Sequence, residues 1–136
     1  MGLDNGIYIR SKHREITRNL FPKEMIFPFK EDYDEGVEIV YWRKNWGLRN
    51  EVIHYLSSAG ENNSGYYTID TPSQIFDIIS IIVSFMNKEK WEEDGDSIWD
   101  YDEILPILRQ NIINLAIAAA FMQNNFDVYL LFYDSY

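Results

Sequence analysis

The sequence contains no cysteine, and this absence removes several kinds of chemistry at once. Without thiols the chain has no disulfide, no thiolate nucleophile and no cysteine-based zinc site, which suits a reducing cytosol. It also lacks the sequence signatures of a phosphate-binding loop, a dinucleotide fold, a nucleophile elbow and an HExxH zinc protease. We therefore predict no catalytic residues and no cofactor, although a catalytic site of another kind stays open.

Long hydrophobic runs are absent as well. The two longest, at 75–86 and 112–122, are shorter than the roughly 20 residues that cross a bilayer. The start of the chain shows no basic region followed by an apolar stretch, and Gly2 lacks the downstream serine or threonine of a myristoylation motif. We expect a protein of the host-cell cytoplasm that does not contact membranes.

Aromatic residues are plentiful, with ten tyrosines, eight phenylalanines and four tryptophans. Because each ring buries a large apolar area, a chain of 136 residues can build a core without covalent cross-links. The length is typical of one domain, so we predict a single domain spanning residues 1–136.

Positive charge is scarce, and negative charge is concentrated late in the chain. Residues 1–50 hold nine Lys/Arg and eight Asp/Glu, a net of +1, whereas residues 51–136 hold three and fourteen, a net of −11. Such a surface repels phosphate backbones, so we predict no direct binding of nucleic acid. It attracts proteins that have basic surfaces, including proteins that themselves bind nucleic acid.

Periodicity predicts strands at both ends of the chain and helices between them. The predicted strands are 3–9, 37–42, a short one at 66–70, and 126–136; the predicted helices are 45–57, 72–88 and 102–124. Thr71, Pro72 and Gln74 form the strongest local signal, a capping box with proline at the first helical position. Residues 10–36 have no clear period and predict a long excursion with one helical turn, and Pro106 is expected near the first turn of its helix.

These elements predict an α+β fold. We expect a small antiparallel sheet that includes both terminal strands and is covered on one face by about three helices. Within the first strand, Asn5-Gly6 is a candidate for a bulge or turn.

The first candidate site is the acidic segment, residues 89–103, in which aromatic residues are mixed with carboxylates. Such mixtures are typical of protein interfaces. The predicted partner-binding residues are Glu89, Trp91, Glu92, Glu93, Asp94, Asp96, Trp99, Asp100 and Tyr101. A calcium loop is disfavoured because the acids around Gly95 lack its ligand spacing, so we predict no metal site, and a solvated loop is the plain alternative.

The second candidate site places cations beside aromatic rings. Its predicted ligand-binding residues are Tyr41, Trp42, Arg43, Lys44 and Arg49, which could hold a phosphate or stack a base. The structural alternative puts Tyr41 and Trp46 in the core and pairs Arg43 and Lys44 with nearby acids.

Three separated blocks resemble a family of small phage and prophage proteins: MGLDNGIYIRS (1–11), VEIVYWRKNWGLRNEVIHYL (37–56) and FDVYLLFYDSY (126–136). Members begin with Met-Gly-Leu-Asp and a strand, carry Tyr-Trp-Arg-Lys before a helix, and end in an aromatic strand. The corresponding positions here are Met1 to Asp4, Tyr41 to Lys44 and Phe132 to Tyr136. The resemblance covers about a third of the chain. It implies a phage origin and a coherent fold, but no particular activity.

Three functional hypotheses follow. The first is a phage-encoded inhibitor of a host defence system, for example an anti-CRISPR protein, that binds a basic surface of its target through the acidic segment. The second is a small-molecule or nucleotide-binding protein or enzyme that uses residues 41–49. The third is a virion or host-takeover accessory protein, with a possible homodimer.

Overall fold

The computed structural model describes residues 4–29, 36–59, 65–95 and 100–135. In these ranges the strands are β1 (Asp4–Ser11), β2 (Val37–Arg43), β3 (Tyr66–Ile69) and β4 (Val128–Ser135). The helices are α1 (Trp46–Ala59), α2 (Pro72–Ser84), the single turn α3 (Lys88–Lys90) and α4 (Tyr101–Gln123). A 3₁₀ turn at Arg18–Leu20 and a π-helical turn at Trp91–Gly95 complete the described elements.

The strands form one antiparallel sheet in the order β2-β1-β4-β3. The two terminal strands are central neighbours, paired from Asp4 opposite Ser135 to Ser11 opposite Val128. Along β4, Val128, Leu130 and Phe132 are buried, whereas the residues between them are partly exposed, which is the pattern of a sheet covered by helices on one face. The predicted α+β class, with both terminal strands in an antiparallel sheet, is confirmed.

A bulge interrupts the pairing of β1 with β2, but not where the sequence predicted it. Asn5 and Gly6 continue the strand in regular register, so the prediction of a bulge or turn there is wrong. The register shifts between Ile7, which lies opposite Val40, and Tyr8, which lies opposite Glu38, so that Ile39 is the extra residue. The bulge therefore changes which residues of β2 share a face.

Helix α4 covers the outer edge of β2 with two buried asparagines. The Asn114 Nδ2 donates to the carbonyl oxygens of Ile39 and Ile26, each at 2.8 Å, and the Asn111 Nδ2 donates to the Tyr41 carbonyl at 3.4 Å. The carbonyl groups of Ile39 and Tyr41 belong to β2, which is an edge strand of the sheet among the described residues. The two asparagine amides also protect this edge from pairing with another chain.

Helix α2 begins as predicted but ends earlier. Thr71 Oγ1 accepts from the Gln74 amide, and Gln74 Oε1 accepts from the Thr71 amide, so the capping box is confirmed. The helix ends at Ser84 rather than at residue 88, because Phe85 turns into the core and is fully buried. Asn87 then caps the separate turn α3 with its side chain.

Helix α4 (Tyr101–Gln123) agrees with the predicted helix at 102–124 to within one residue at each end. Its 23 residues are long and apolar enough to cross a membrane by length and composition alone. Eight of them, including Leu108 and Leu115, are buried in the fold, and a core helix of a globular protein passes the same test. Pro106 is its sixth residue and lies in the second turn rather than the first. The absence of membrane contact stays a prediction.

Candidate functional site

The acidic segment begins with α3 and the π-helical turn, and its charged side chains point outward. The exposed acids of its described part are Glu89, Glu92, Glu93, Asp94, Asp100, Asp102 and Glu103. Lys90 bridges two carboxylates, with its Nζ 2.7 Å from Asp94 and 3.0 Å from Glu51 of α1. Asp96 and Trp99, both predicted partner-binding residues, lie outside the described residues.

The two described aromatic residues of this segment, Trp91 and Tyr101, make contacts within the fold. Trp91 is only 6% exposed and packs edge-on against Phe85, with ring centroids 6.4 Å apart. The hydroxyl of Tyr101 donates to the Met86 carbonyl. Trp91 therefore belongs to the core, and the surface that the described segment offers to a partner consists mainly of carboxylates.

A close backbone contact fixes the π-helical turn to the start of α1. A Cβ atom on Gly47 would lie 1.5 Å from the carbonyl oxygen of Asp94, so only glycine permits this approach. Gly47 weakens α1 by propensity, yet it allows the turn to dock there. Together with the Lys90–Glu51 ion pair, this contact joins the π-helical turn and α3 to helix α1.

Three arginines in the first fifty residues pair with acids outside the acidic segment. Arg14 bonds Asp127 at 2.9 Å, Arg43 lies 3.5 Å from Asp4, and Arg49 bonds Asp134 at 2.6 Å. Among the described residues, no ion pair joins the acidic segment to an arginine or lysine of 4–29 or 36–59. The described carboxylates of the segment are therefore exposed to solvent, and within the described chain only Asp94 among them forms an ion pair, which it makes with Lys90 of the same segment.

The five predicted ligand-binding residues do not all lie in one site. Trp42 is 1% exposed and packs against Phe132, and Lys44 lies at the turn after β2 with a φ of 53°. Arg49 makes a two-pronged ion pair with Asp134, whose Oδ1 also accepts from Asn5 at 2.8 Å. The structural alternative is correct for Arg43, which pairs with Asp4, but Trp42 occupies the core in place of Trp46, which is 39% exposed.

Tyr41, Trp42 and Arg43 do share a cavity of about 220 Å³ beside the edge of β2. The other lining residues come from 26–28 and from α4: Ile26, Phe27, Pro28, Ile104, Ile107, Gln110 and Asn111. The Trp42 Nε1 is buried and has no hydrogen-bond partner among the residues that the structure describes. A buried N–H group without an acceptor costs about 1–3 kcal/mol.

A third group of residues lies on the face of the sheet that none of the described helices covers, which we call the helix-free face. Gly6 and Tyr8 of β1 lie on this face with Glu38 and Tyr41 of β2 and Tyr133 of β4. They surround a hollow of about 370 Å³. Its lining residues are Asp4, Tyr8, Phe29, Glu38, Tyr41, Tyr66, Tyr133 and Ser135.

Glu38 is the buried acid of this hollow, with only 5% of its surface exposed. Burial raises the pKa of Glu38 from 4.5 to about 7; the hydrogen bond from the Tyr133 hydroxyl, 2.6 Å long, opposes this rise, and the nearby Asp4 charge adds to it. Burial and the hydrogen bond to Glu38 also raise the pKa of Tyr133 far above its usual range. Near neutral pH, the hollow thus contains a carboxyl group close to half ionisation beside a neutral phenol.

A second tyrosine–carboxylate pair lies at the rim. The Tyr41 hydroxyl donates to Asp4 Oδ1 at 2.8 Å, and burial together with this bond raises the pKa of Tyr41 to about 12. The residue pattern of β2 did not predict either pair, because both depend on register. The only signal in the sequence was Glu38 itself, a single acid within an otherwise apolar and aromatic strand.

No protein-family model, curated protein or solved structure matches the chain. The phage-family resemblance therefore stays an expectation. Among the described residues, no group of three or more histidines or acids is placed to hold a metal ion.

Proposed function

We propose that this chain is an acidic interaction protein that binds a basic surface of a partner protein through the exposed carboxylates of the acidic segment. One observation supports the proposal most: these carboxylates are exposed, while Arg14, Arg43 and Arg49 pair with acids elsewhere in the described chain. A one-sided charge pattern steers association with an oppositely charged partner and suppresses other partners.

The phage-family resemblance supports a more specific form of this proposal. A phage protein of this charge would act in the host cytoplasm on a defence protein whose basic groove binds nucleic acid, such as a CRISPR effector. The carboxylates would occupy part of that groove and inhibit the effector by competition. Inhibition requires no catalytic chemistry from the bound protein.

Charge reversal with a matched control tests the proposal. The test variant carries Glu89→Lys, Glu92→Lys and Glu93→Lys; the control carries Glu15→Lys, Glu24→Lys and Asp70→Lys, three exposed acids outside the segment. Both variants change the net charge by the same amount. Immobilised wild type should retain a basic protein from bacterial lysate in a salt-sensitive manner, and the purified partner should bind the control but not the test variant. Equal binding to both variants, or equal loss in both, would show that the acidic segment is not the docking surface.

A second candidate function rests on the cavity lined by Tyr41, Trp42 and Arg43. Its unpartnered indole N–H and the neighbouring guanidinium support binding of a small anionic or nucleotide ligand. A thermal-shift screen tests it, because a ligand at 100 times its dissociation constant stabilises the native state by about 2.7 kcal/mol. A ligand that binds here should bind Trp42→Phe more weakly. If no nucleotide or small anion raises the melting temperature, this function is excluded.

A further inference from the structure

The hollow on the helix-free face combines aromatic walls with an acidic floor. Tyr8 and Tyr133 lie with ring centroids 5.3 Å apart, and Phe29 meets Tyr41 edge to face at 5.0 Å. Tyr66, at 42% exposure, forms a further wall on β3. The carboxyl groups of Asp4 and Glu38 are the acidic members of the lining.

We propose that this hollow binds a small alkylammonium compound, with its charged nitrogen held between the tyrosine rings and Glu38. Aromatic faces carry negative potential and attract cations, most strongly when the cation is shielded from water. Methyl or methylene groups on the nitrogen pack against the rings, which a bare metal ion does not do. Because Ca²⁺ and Mg²⁺ prefer several oxygen ligands, aromatic walls of this kind favour an organic cation.

The position of Glu38 supports this assignment. The described ion pairs place Arg43 at Asp4 and leave Glu38 without a cationic partner among the described residues. A buried carboxyl group that lacks a counter-ion weakens the fold when it ionises, and an apolar residue would avoid that cost. A bound cation would supply the missing charge.

The proposal implies a specific pH dependence, because Glu38 must be ionised to pair with the cation. The titratable and charged groups on this face, among the described residues, are Asp4, Tyr8 and Arg10 on β1, Tyr41 and Arg43 on β2, Tyr66 on β3 and Tyr133 on β4. The pKa values of Tyr41 and Tyr133 are raised, so both phenols stay neutral near pH 7. The affinity should therefore follow the ionisation of Glu38 and rise about tenfold from about pH 6 to about pH 8.

The experiment compares choline with 3,3-dimethylbutan-1-ol, a neutral molecule of the same shape. Each is titrated into the full chain at constant ionic strength, and binding is followed by calorimetry and by the amide resonance of Gly6, which lies at the base of the hollow. We expect choline to bind at least about tenfold more tightly than the alcohol, and Glu38→Gln to remove most of that difference. The pH dependence should disappear in the same variant.

Two further variants supply a control and a second, independent test of the hollow. Asp77→Asn is the matched control, because Asp77 accepts a 2.6 Å hydrogen bond from Tyr55 in a similar pair outside the hollow, and it should keep the affinity for choline. Tyr66→Leu removes a wall of the hollow without touching Glu38 and should weaken choline binding even if Glu38→Gln fails to fold. Equal binding of choline and the alcohol, unchanged binding by both hollow variants, or no binding of choline to the folded wild type would each overturn the proposal.

Discussion

The Tyr133 hydroxyl reaches Glu38 over the strand that lies between them. Glu38 is on β2, Tyr133 is on β4, and β1 separates the two strands, yet the oxygens are 2.6 Å apart. The bond is possible because Gly6 of β1 lies beneath it and has no side chain. Three strands from both halves of the chain thus meet at one ionisable group.

Stability should fall as the pH rises through the ionisation of Glu38. The folded chain retains this proton up to a pKa of about 7, whereas the unfolded chain releases it near 4.5, so the folded state binds more protons between these values. The free energy of unfolding should therefore decrease from about pH 4.5 to about pH 7, by roughly 3 kcal/mol at most. Urea unfolding across this range should show the decrease in wild type but not in Glu38→Gln.

The same unfolding experiment, continued below about pH 4, supplies an internal control through Asp127. Arg14 and Ser11 lower the pKa of Asp127 from 3.8 to about 2. A lowered folded-state pKa adds stability above 3.8 that is lost as the pH falls through about 2. Glu38→Gln should leave this acid-side loss unchanged. A variant that loses both transitions has changed more than the Glu38 carboxyl group.

The substitution Gly6→Ala should displace the Glu38 and Tyr133 side chains and destabilise the protein. An added Cβ would lie 2.1 Å from the Glu38 Oε2 and 2.5 Å from the Tyr133 Cε1, so both side chains must move. Overpacking of this kind costs about 1–3 kcal/mol, which a melting curve detects. The double variant Gly6→Ala/Glu38→Ala should recover part of the loss. If the single variant melts like wild type, these side chains do not pack over Gly6.

Two arginines of the predicted ligand-binding segment should differ sharply in their effect on stability. Arg49→Met leaves the Asp134 carboxylate, which is 7% exposed, without its counter-ion and should cost about 3 kcal/mol. Arg43→Met breaks an exposed 3.5 Å pair and should cost less than about 1 kcal/mol. Chemical denaturation of both variants checks the difference. Equal losses of unfolding free energy in the two variants would show that the Arg49–Asp134 pair does not stabilise the fold more than the exposed pair does.

The capping box predicts a modest effect at the start of α2. Thr71→Ala removes the side-chain oxygen that accepts from the Gln74 amide and should destabilise the protein by about 1 kcal/mol. Ser73→Ala, at an exposed neighbouring position in the helix, is the control and should have little effect on the melting temperature. A similar change in both variants would show that the cap is not the cause.

Local signals in the sequence predicted most of the elements. The α2 capping box depends on residues within four positions of each other, and the alternation in the terminal strands reports directly which side of each strand is buried. The end of α2 was placed too late because its apolar pattern continues through Phe85 and Met86, where burial in the core decides the turn instead. Similarly, Phe126 was included in the last strand, but it is 93% exposed and β4 begins at Val128.

The hollow could not be predicted, and the bulge at Ile39 is the physical reason. Strict alternation in β2 would place Glu38 on the same face as Val40 and Trp42. The extra residue shifts the register and brings Glu38 to the face of Tyr41, while Val40 and Trp42 stay buried. Its hydrogen-bond partner Tyr133 lies 95 positions away in the chain. Residues 37–42 contain no glycine or other signal for a bulge, and a contact of that separation leaves no pattern in a single sequence.

Titration of the Glu38 carboxyl carbon by nuclear magnetic resonance tests most directly whether the helix-free face is built around an ionisable site. The burial of Glu38 predicts a midpoint near pH 7 in the folded chain, and bound choline should lower it by favouring the ionised form. Tyr133→Phe should raise it, because the Tyr133 hydroxyl stabilises the carboxylate. A midpoint near 4.5 that neither choline nor Tyr133→Phe changes would contradict the assignment of this face as a binding site.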